Sequence, residues 1–149
     1  MIPGSSAAYY EGSYMNIIVC IDEENGMLFN GRRQSKDRVL RAHANALAEG
    51  KLWMNGFTAK QFQEDGCDII VDEAFLENAP EDAWCFVENV DPKPYMDQIS
   101  RVAVYRWNRL YPSDVKFPMA DFAARWTLVG REDFAGSSHE KITQEVYQL

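Results

Sequence analysis

MNIIVCI, residues 15–21, is a short run of apolar and mostly β-branched side chains that only Asn16 interrupts clearly. Such a run is typical of a strand that is buried on both faces inside a parallel sheet. The residues that follow, 22–33, contain Asn25-Gly26 and Asn30-Gly31, two dipeptides that favour turns. We therefore expect a central strand followed by a long, mobile loop of the kind that often covers a ligand.

Helical and strand-like segments alternate after this loop. The pattern predicts a helix over residues 35–48, with Ser35 as its N-cap, and a second strand over residues 51–54. A strand, a helix and a strand in succession imply a parallel, right-handed crossover. Further buried strands are predicted at residues 68–71, 84–87 and 102–107, separated by short helical segments that begin near Thr58, Glu73 and Asp91.

The last part of the chain follows a different pattern. Strand-like residues 126–129 and 141–147 follow each other across Gly136-Ser137-Ser138 with no predicted helix between them. This arrangement indicates a hairpin, so we expect the sheet to end with antiparallel strands.

The bulk composition indicates one acidic globular domain, which we place at residues 15–149. The 149-residue chain carries a formal charge of −8, which opposes binding to nucleic acid, and no apolar run approaches the roughly 20 residues of a membrane span. Its three cysteines, Cys20, Cys67 and Cys85, show no paired spacing and are interpreted as reduced core thiols. The expected compartment is therefore the cytoplasm.

Residues 1–14 are small, polar and aromatic without any periodicity. Two interpretations are open: a disordered extension, or a translated leader that precedes a true start at Met15.

From Met15 to its end, the chain resembles the dihydrofolate reductase family. Residues 15–26 are similar to that family's first strand and the start of its mobile active-site loop, and Met54 and Thr58 fit its Met-Gly-Arg-x-Thr motif. The closing segment is similar in order and spacing at residues 113–118, Trp126 and residues 132–134. The resemblance implies a three-layer α/β/α fold of the dihydrofolate reductase type, with a mostly parallel central sheet and an antiparallel C-terminal hairpin.

The chain departs from the family where the family binds NADPH. A Gly-Gly pair after the Phe-Val strand lets the cofactor's pyrophosphate approach bare backbone, but here Phe86-Val87 is followed by Glu88-Asn89. Two like charges about 4 Å apart repel by about 4 kcal/mol at an effective dielectric constant of about 20. Gly56 also replaces the motif's arginine. We therefore expect no cofactor, and NADPH only in a binding mode that the family does not use.

The chain also departs from the family at the positions where the family binds folate. Ungapped alignment places Val39 or Leu40 where the family has its substrate-binding carboxylate, and only a gap brings Asp37 into register. Tyr105 stands at the end of a strand where the family presents threonine, and Gln34-Ser35 replaces its Pro-Trp pair.

The residues near the predicted strand ends suggest a ligand crevice. We expect Arg32, Arg33 and Arg106 to bind an acidic or planar small molecule, and Asn55 and Asn89 to supply directional hydrogen bonds. The remaining predicted ligand-binding residues are Asn30, Thr58, Trp107 and Asn108.

Three functions remain open. The leading hypothesis is a degenerate member of this fold that binds a small ligand and is not a reductase. The second is an NAD(P)H-dependent oxidoreductase of the dihydrofolate reductase or riboflavin-biosynthesis reductase type with altered cofactor binding, in which Asp37 or Glu88 handles the proton. The third is a protein-interaction module, including a homodimer, that uses aromatic side chains near Trp107 and Tyr111.

The two histidines do not indicate a metal site, because neither lies in a metal-binding spacing. His43 is expected to be a hydrogen-bonded core residue. His139 is expected to be partly exposed in the hairpin turn, where contiguous Ser138, His139 and Glu140 diverge too much to form a catalytic relay.

Overall fold

The computed structural model describes residues 14–62 and 68–149. In chain order the elements are β1 (Met15–Ile21), β2 (Gly26–Phe29), β3 (Arg32–Arg33), α1 (Arg38–Leu47), β4 (Lys51–Met54), α2 (Gly56–Phe62), β5 (Asp68–Val71), α3 (Phe75–Asn78), β6 (Trp84–Phe86), a 3₁₀ helix (Lys93–Gln98), β7 (Ile99–Arg106), β8 (Val115–Lys116), α4 (Met119–Arg125), β9 (Thr127–Phe134) and β10 (Ile142–Gln148).

The main sheet has seven strands in the order β9-β10-β7-β1-β6-β4-β5. β1 is the middle strand and pairs in parallel with both neighbours, so that Ile17 lies opposite Cys85 on one side and Val102 on the other. β4 is parallel to β5 and β6, whereas β10 is antiparallel to β7 and β9. A mostly parallel central sheet that ends in an antiparallel hairpin is therefore confirmed.

Side chains of β1 supply the core on both faces of the sheet. Ile17 and Val19 belong to one cluster, with Phe75 of α3 and Phe122 of α4, and Ile18 belongs to the other, with residues of α1 and α2. Because apolar side chains point to both faces, the strand needs cover on both sides. The layers are helix, sheet and helix, as predicted.

Helix α1 begins later than predicted, and Ser35 is not its cap. The cap is Asp37, whose backbone is extended (φ −154°) and whose carboxylate accepts hydrogen bonds from Val39 N and Leu40 N. Helix α2, in contrast, begins earlier than predicted, at Gly56, and Asn55 Oδ1 accepts the hydrogen bond from Thr58 N. In each helix a side chain other than the predicted cap satisfies free amides of the first turn, Asp37 in α1 and Asn55 in α2.

Two features were not predicted. The long loop 22–33 contains β2 and β3, which form a three-stranded antiparallel sheet with β8. Helix α4 lies directly before the C-terminal hairpin and buries Phe122. All three elements are short, so their sequence periods are too brief to recognise, and they are stabilised by tertiary contacts.

The two interpretations of residues 1–14 lie outside the described residues, except at Tyr14, and so does the core position predicted for Cys67. Cys20 and Cys85 are free thiols. Within residues 14–62 and 68–149, no helix is both long enough and apolar enough to cross a membrane.

Candidate functional site

Polar side chains gather where the parallel strands end. Asp22 follows β1, Asn55 follows β4, Glu88 lies two residues beyond β6, and Trp107 follows β7. The carboxyl ends of parallel strands share one edge of a sheet, and that edge is the usual place for a binding crevice in open α/β folds. Among the described residues, two separate clusters of interacting side chains lie at this edge.

The Arg33–Glu88 cluster consists of Arg33, Asn55, Phe57, Glu88 and Asn89. Arg33 donates two hydrogen bonds to the Glu88 carboxylate, from Nε at 3.0 Å and from Nη2 at 3.1 Å. Its guanidinium also donates to Phe57 O at 2.8 Å and lies 4.6 Å from the centre of the Phe57 ring. The Glu88 side chain is only 9% exposed. The cluster therefore holds one bidentate, largely desolvated ion pair whose charges cancel.

An amide pair extends this cluster toward helix α2. Asn55 Nδ2 donates to Asn89 Oδ1 at 2.8 Å, while Asn55 Oδ1 caps the helix. Thr58 is fully buried, and its Oγ1 has no hydrogen-bond partner among the described residues. Burial and the nearby Glu88 carboxylate raise the pKa of the Cys20 thiol well above its ordinary value. Cys20 is therefore a protonated thiol beside the ion pair.

Other predicted ligand-binding residues lie apart from this cluster. Arg106 Nε donates to Glu145 Oε1 at 2.8 Å, and Asn108 Nδ2 donates to Thr143 Oγ1 at 3.0 Å, so both side chains are engaged with strand β10. Asn30 and Arg32 are exposed beside the turn between β2 and β3. The structure thus brings Arg33, Asn55, Thr58, Glu88 and Asn89 together and leaves Asn30, Arg32, Arg106, Trp107 and Asn108 outside the group.

The Asp37–His139 cluster consists of Ser35, Asp37, Tyr111, Ser138 and His139. The Asp37 side chain has no exposed surface, and six donors converge on it. Two donors are the amides of the first turn of α1, and the other four come from the turn between β9 and β10. The hairpin turn is thereby attached to the start of the helix through one carboxylate.

Burial by itself would raise the pKa of Asp37, but hydrogen bonds from the His139 ring and from backbone amides outweigh it. The pKa of Asp37 consequently lies well below its usual range. Asp37 is ionised and its acceptor sites are filled, which is the geometry of a structural anion. The catalytic role suggested for Asp37 and Glu88 stays a prediction.

His139 is buried, and the expectation that it is partly exposed was wrong. Its Nδ1 lies 3.0 Å from Asp37 Oδ2, and its Nε2 lies 3.0 Å from Ser35 Oγ and 3.1 Å from Tyr111 OH. The ring also stacks on Trp107, with centroids 4.6 Å apart. Since an ionised carboxylate cannot donate, the hydrogen of Nδ1 points to Asp37 and Nε2 faces the hydroxyls. The partners of His139 come mainly from distant segments, which the local sequence did not reveal.

Asp22 is a further buried carboxylate that sequence reasoning missed. It accepts hydrogen bonds from the amides of Glu24, Gly26 and Tyr111 and from Gln34 Nε2. Burial would raise the pKa of Asp22, but these donors lower it overall. The sequence does contain a signal for this role of Asp22, because an aspartate at a strand end before Asn-Gly is typical of an Asx turn.

We expect stability to fall in acid because of these two carboxylates. Their folded-state pKa values lie below the ordinary aspartate value of about 3.9, so the unfolded chain binds protons more readily. Their stabilisation is complete above about pH 5 and is lost progressively as pH falls below that value. Urea unfolding at a series of pH values measures it. Asp37→Asn should show a shallower decline in acid than the unmodified chain, and an equally steep decline would contradict this assignment.

His43 is hydrogen-bonded, as expected. Its Nδ1 lies 2.7 Å from Tyr105 OH, and its ring stacks on Phe134. Among residues 14–62 and 68–149, no group of three or more histidine, cysteine, aspartate or glutamate side chains is placed to hold a metal ion.

Comparison with solved structures supports the fold. A dihydrofolate reductase from Enterococcus faecalis, solved in complex with NADP(H) and RAB-propyl, is similar to this chain with a TM-score of 0.63. The sequences are 11% identical, and the match covers 92% of this chain and 96% of that one. No protein-family model and no curated protein sequence matches the chain. The likeness shows a fold of the dihydrofolate reductase type.

Proposed function

We propose that this chain is a small-ligand-binding protein of the dihydrofolate reductase-like fold that does not act as an NADPH-dependent reductase. The observation that carries the proposal is the bidentate pair between Arg33 and Glu88 at the end of β6. The structurally similar reductase was solved with NADP(H), so a dinucleotide is the first ligand to consider for the same edge of the sheet here.

The Arg33–Glu88 cluster argues against that cofactor. Glu88 directly follows Phe86-Val87, where the reductase family has the first glycine of its Gly-Gly pair. A phosphate that approached this point would meet a carboxylate instead of bare amides. It would also find the nearest guanidinium already satisfied by Glu88 and by Phe57 O. Binding would therefore require breaking a desolvated ion pair, which is costly.

The same contacts indicate the chemistry of the ligand. Arg33 and Arg106 each have a carboxylate partner within the chain, so neither offers a free charge to an anion. Asn55 and Asn89 form a pair of amides, and the exposed Asn89 can offer hydrogen bonds to a ligand. A planar, uncharged molecule with amide-like donors and acceptors fits these groups better than an acidic one.

Calorimetric titration with NADPH tests the proposal. The unmodified protein is expected to show no binding in the micromolar range. The double variant Glu88→Gly/Asn89→Gly restores the family's glycine pair and frees Arg33, and we expect it to bind NADPH at least tenfold more tightly, which corresponds to about 1.4 kcal/mol.

Glu81→Gly is the matched control, because it removes one exposed carboxylate before β6, at the other end of the same strand. It should leave NADPH binding unchanged. Micromolar binding by the unmodified protein, or loss of NADPH absorbance when a pteridine is added, would contradict the proposal and favour the reductase alternative.

A further inference from the structure

We propose that Ser35 is a nucleophile activated by His139 and oriented by Asp37, so that the chain can accept an acyl group from an activated ester. This activity is independent of the ligand-binding function proposed above and uses the other cluster at the same edge of the sheet.

The proposal rests on two hydrogen-bonding distances and on the order in which the three side chains are joined. Asp37 Oδ2 lies 3.0 Å from His139 Nδ1, and His139 Nε2 lies 3.0 Å from Ser35 Oγ. A carboxylate, an imidazole and a hydroxyl joined in this order make a serine nucleophile reactive in many unrelated folds. The order of these residues along the chain has no bearing, because the arrangement is recognised by geometry.

Each group is held in the state that the chemistry requires. The Asp37 carboxylate is fixed by amides of α1 and of the hairpin turn, and it holds the hydrogen on His139 Nδ1. The imidazole is further fixed by stacking on Trp107. Nδ1 thereby faces Asp37 and Nε2 faces Ser35, which is the orientation that a general base requires.

The three residues also differ in burial, as a serine nucleophile and its buried base would. The side chains of His139 and Asp37 are 2% and 0% exposed, whereas Ser35 is half-buried and its neighbour Lys36 is exposed. The base and its orienting carboxylate are shielded from water, while the hydroxyl lies nearer to the solvent. A substrate therefore needs to reach only Ser35.

The proposed ester hydrolysis needs no reactant other than the ester and water. Ser35 Oγ bonds to the carbonyl carbon as its proton passes to His139 Nε2. The ester C–O bond then breaks, and the departing alcohol takes the electron pair and that proton. Water repeats the sequence on the acyl-serine, which releases a carboxylic acid and restores Ser35.

Tyr111 OH lies 3.1 Å from the same Nε2 and is the alternative proton donor. Nε2 has a single lone pair and accepts one hydrogen bond well, so the two hydroxyls compete. Tyr111→Phe removes the competitor and should therefore speed the reaction of Ser35.

A fluorophosphonate probe tests the assignment, because it bonds to activated serine oxygens with loss of fluoride. We expect one probe per folded molecule, located at Ser35 by peptide mass spectrometry. Ser35→Ala should abolish this adduct, and His139→Gln should slow labelling by roughly 100-fold or more. Ser100→Ala, at the opposite end of β7, is the matched control and should be labelled like the unmodified chain.

Circular dichroism establishes that each variant is folded, and a sample of unmodified chain in urea shows whether labelling needs the fold. The proposal is overturned if folded protein stays unlabelled at Ser35, if Ser35 reacts equally in urea, or if folded Tyr111→Phe loses the adduct. If His139→Gln does not fold, the Ser35→Ala and urea samples still decide the question.

Discussion

Asp37→Ala is expected to lower the free energy of unfolding by about 3–5 kcal/mol, because it removes a buried carboxylate on which six hydrogen-bond donors converge. The substitution leaves the His139 ring and several buried amides without an acceptor, and each unsatisfied buried donor costs about 1–3 kcal/mol. It also removes the N-cap of α1, which is typically worth about 1 kcal/mol. These losses overlap, because the freed groups can relax together and admit water, so they do not add fully.

Urea unfolding at neutral pH measures this loss. Asp114→Ala is the matched control, because Asp114 is exposed and accepts one hydrogen bond, from Asn30 N. That variant should lose less than about 1 kcal/mol, as is usual for exposed surface positions. Equal losses in the two variants would show that Asp37 does not attach the hairpin turn to α1.

Glu88→Ala is expected to lower the free energy of unfolding by about 3 kcal/mol, since it leaves the Arg33 guanidinium without its carboxylate. This value is at the lower end for a buried pair because the Arg33 side chain retains 22% exposure. Removing both charges should cost less than removing one. We therefore expect the double variant Arg33→Met/Glu88→Leu to recover most of the lost stability.

The surface pair of Arg125 with Asp97 provides the comparison, because its side chains are 44% and 84% exposed. Asp97→Ala should cost no more than about 1 kcal/mol. If Glu88→Ala cost as little as Asp97→Ala, the Arg33–Glu88 pair would be too solvated to oppose a dinucleotide. The proposed function would then lose its main support.

The sequence by itself determined the sheet and the position of one cluster. The apolar run of β1 has side chains for two buried faces, and the absence of a helical pattern between residues 129 and 141 specified the hairpin. Such patterns are local and follow directly from which faces are buried. Glu88 and Asn89 were placed at the strand ends for the same reason, because they come immediately after an apolar segment.

Only the tertiary structure decided the Asp37–His139 cluster. Asp37 and His139 are 102 positions apart in the chain, and no local period connects a helix cap to a hairpin turn. The residues next to His139 in the chain did not indicate its partners, because Asp37, Ser35 and Tyr111 reach it from other segments. The pairing of β10 with β7 and β9 sets where the hairpin turn lies, and that position brings His139 within hydrogen-bonding distance of the start of α1. Contacts of this kind depend on the register of distant strands, which local side-chain patterns do not encode.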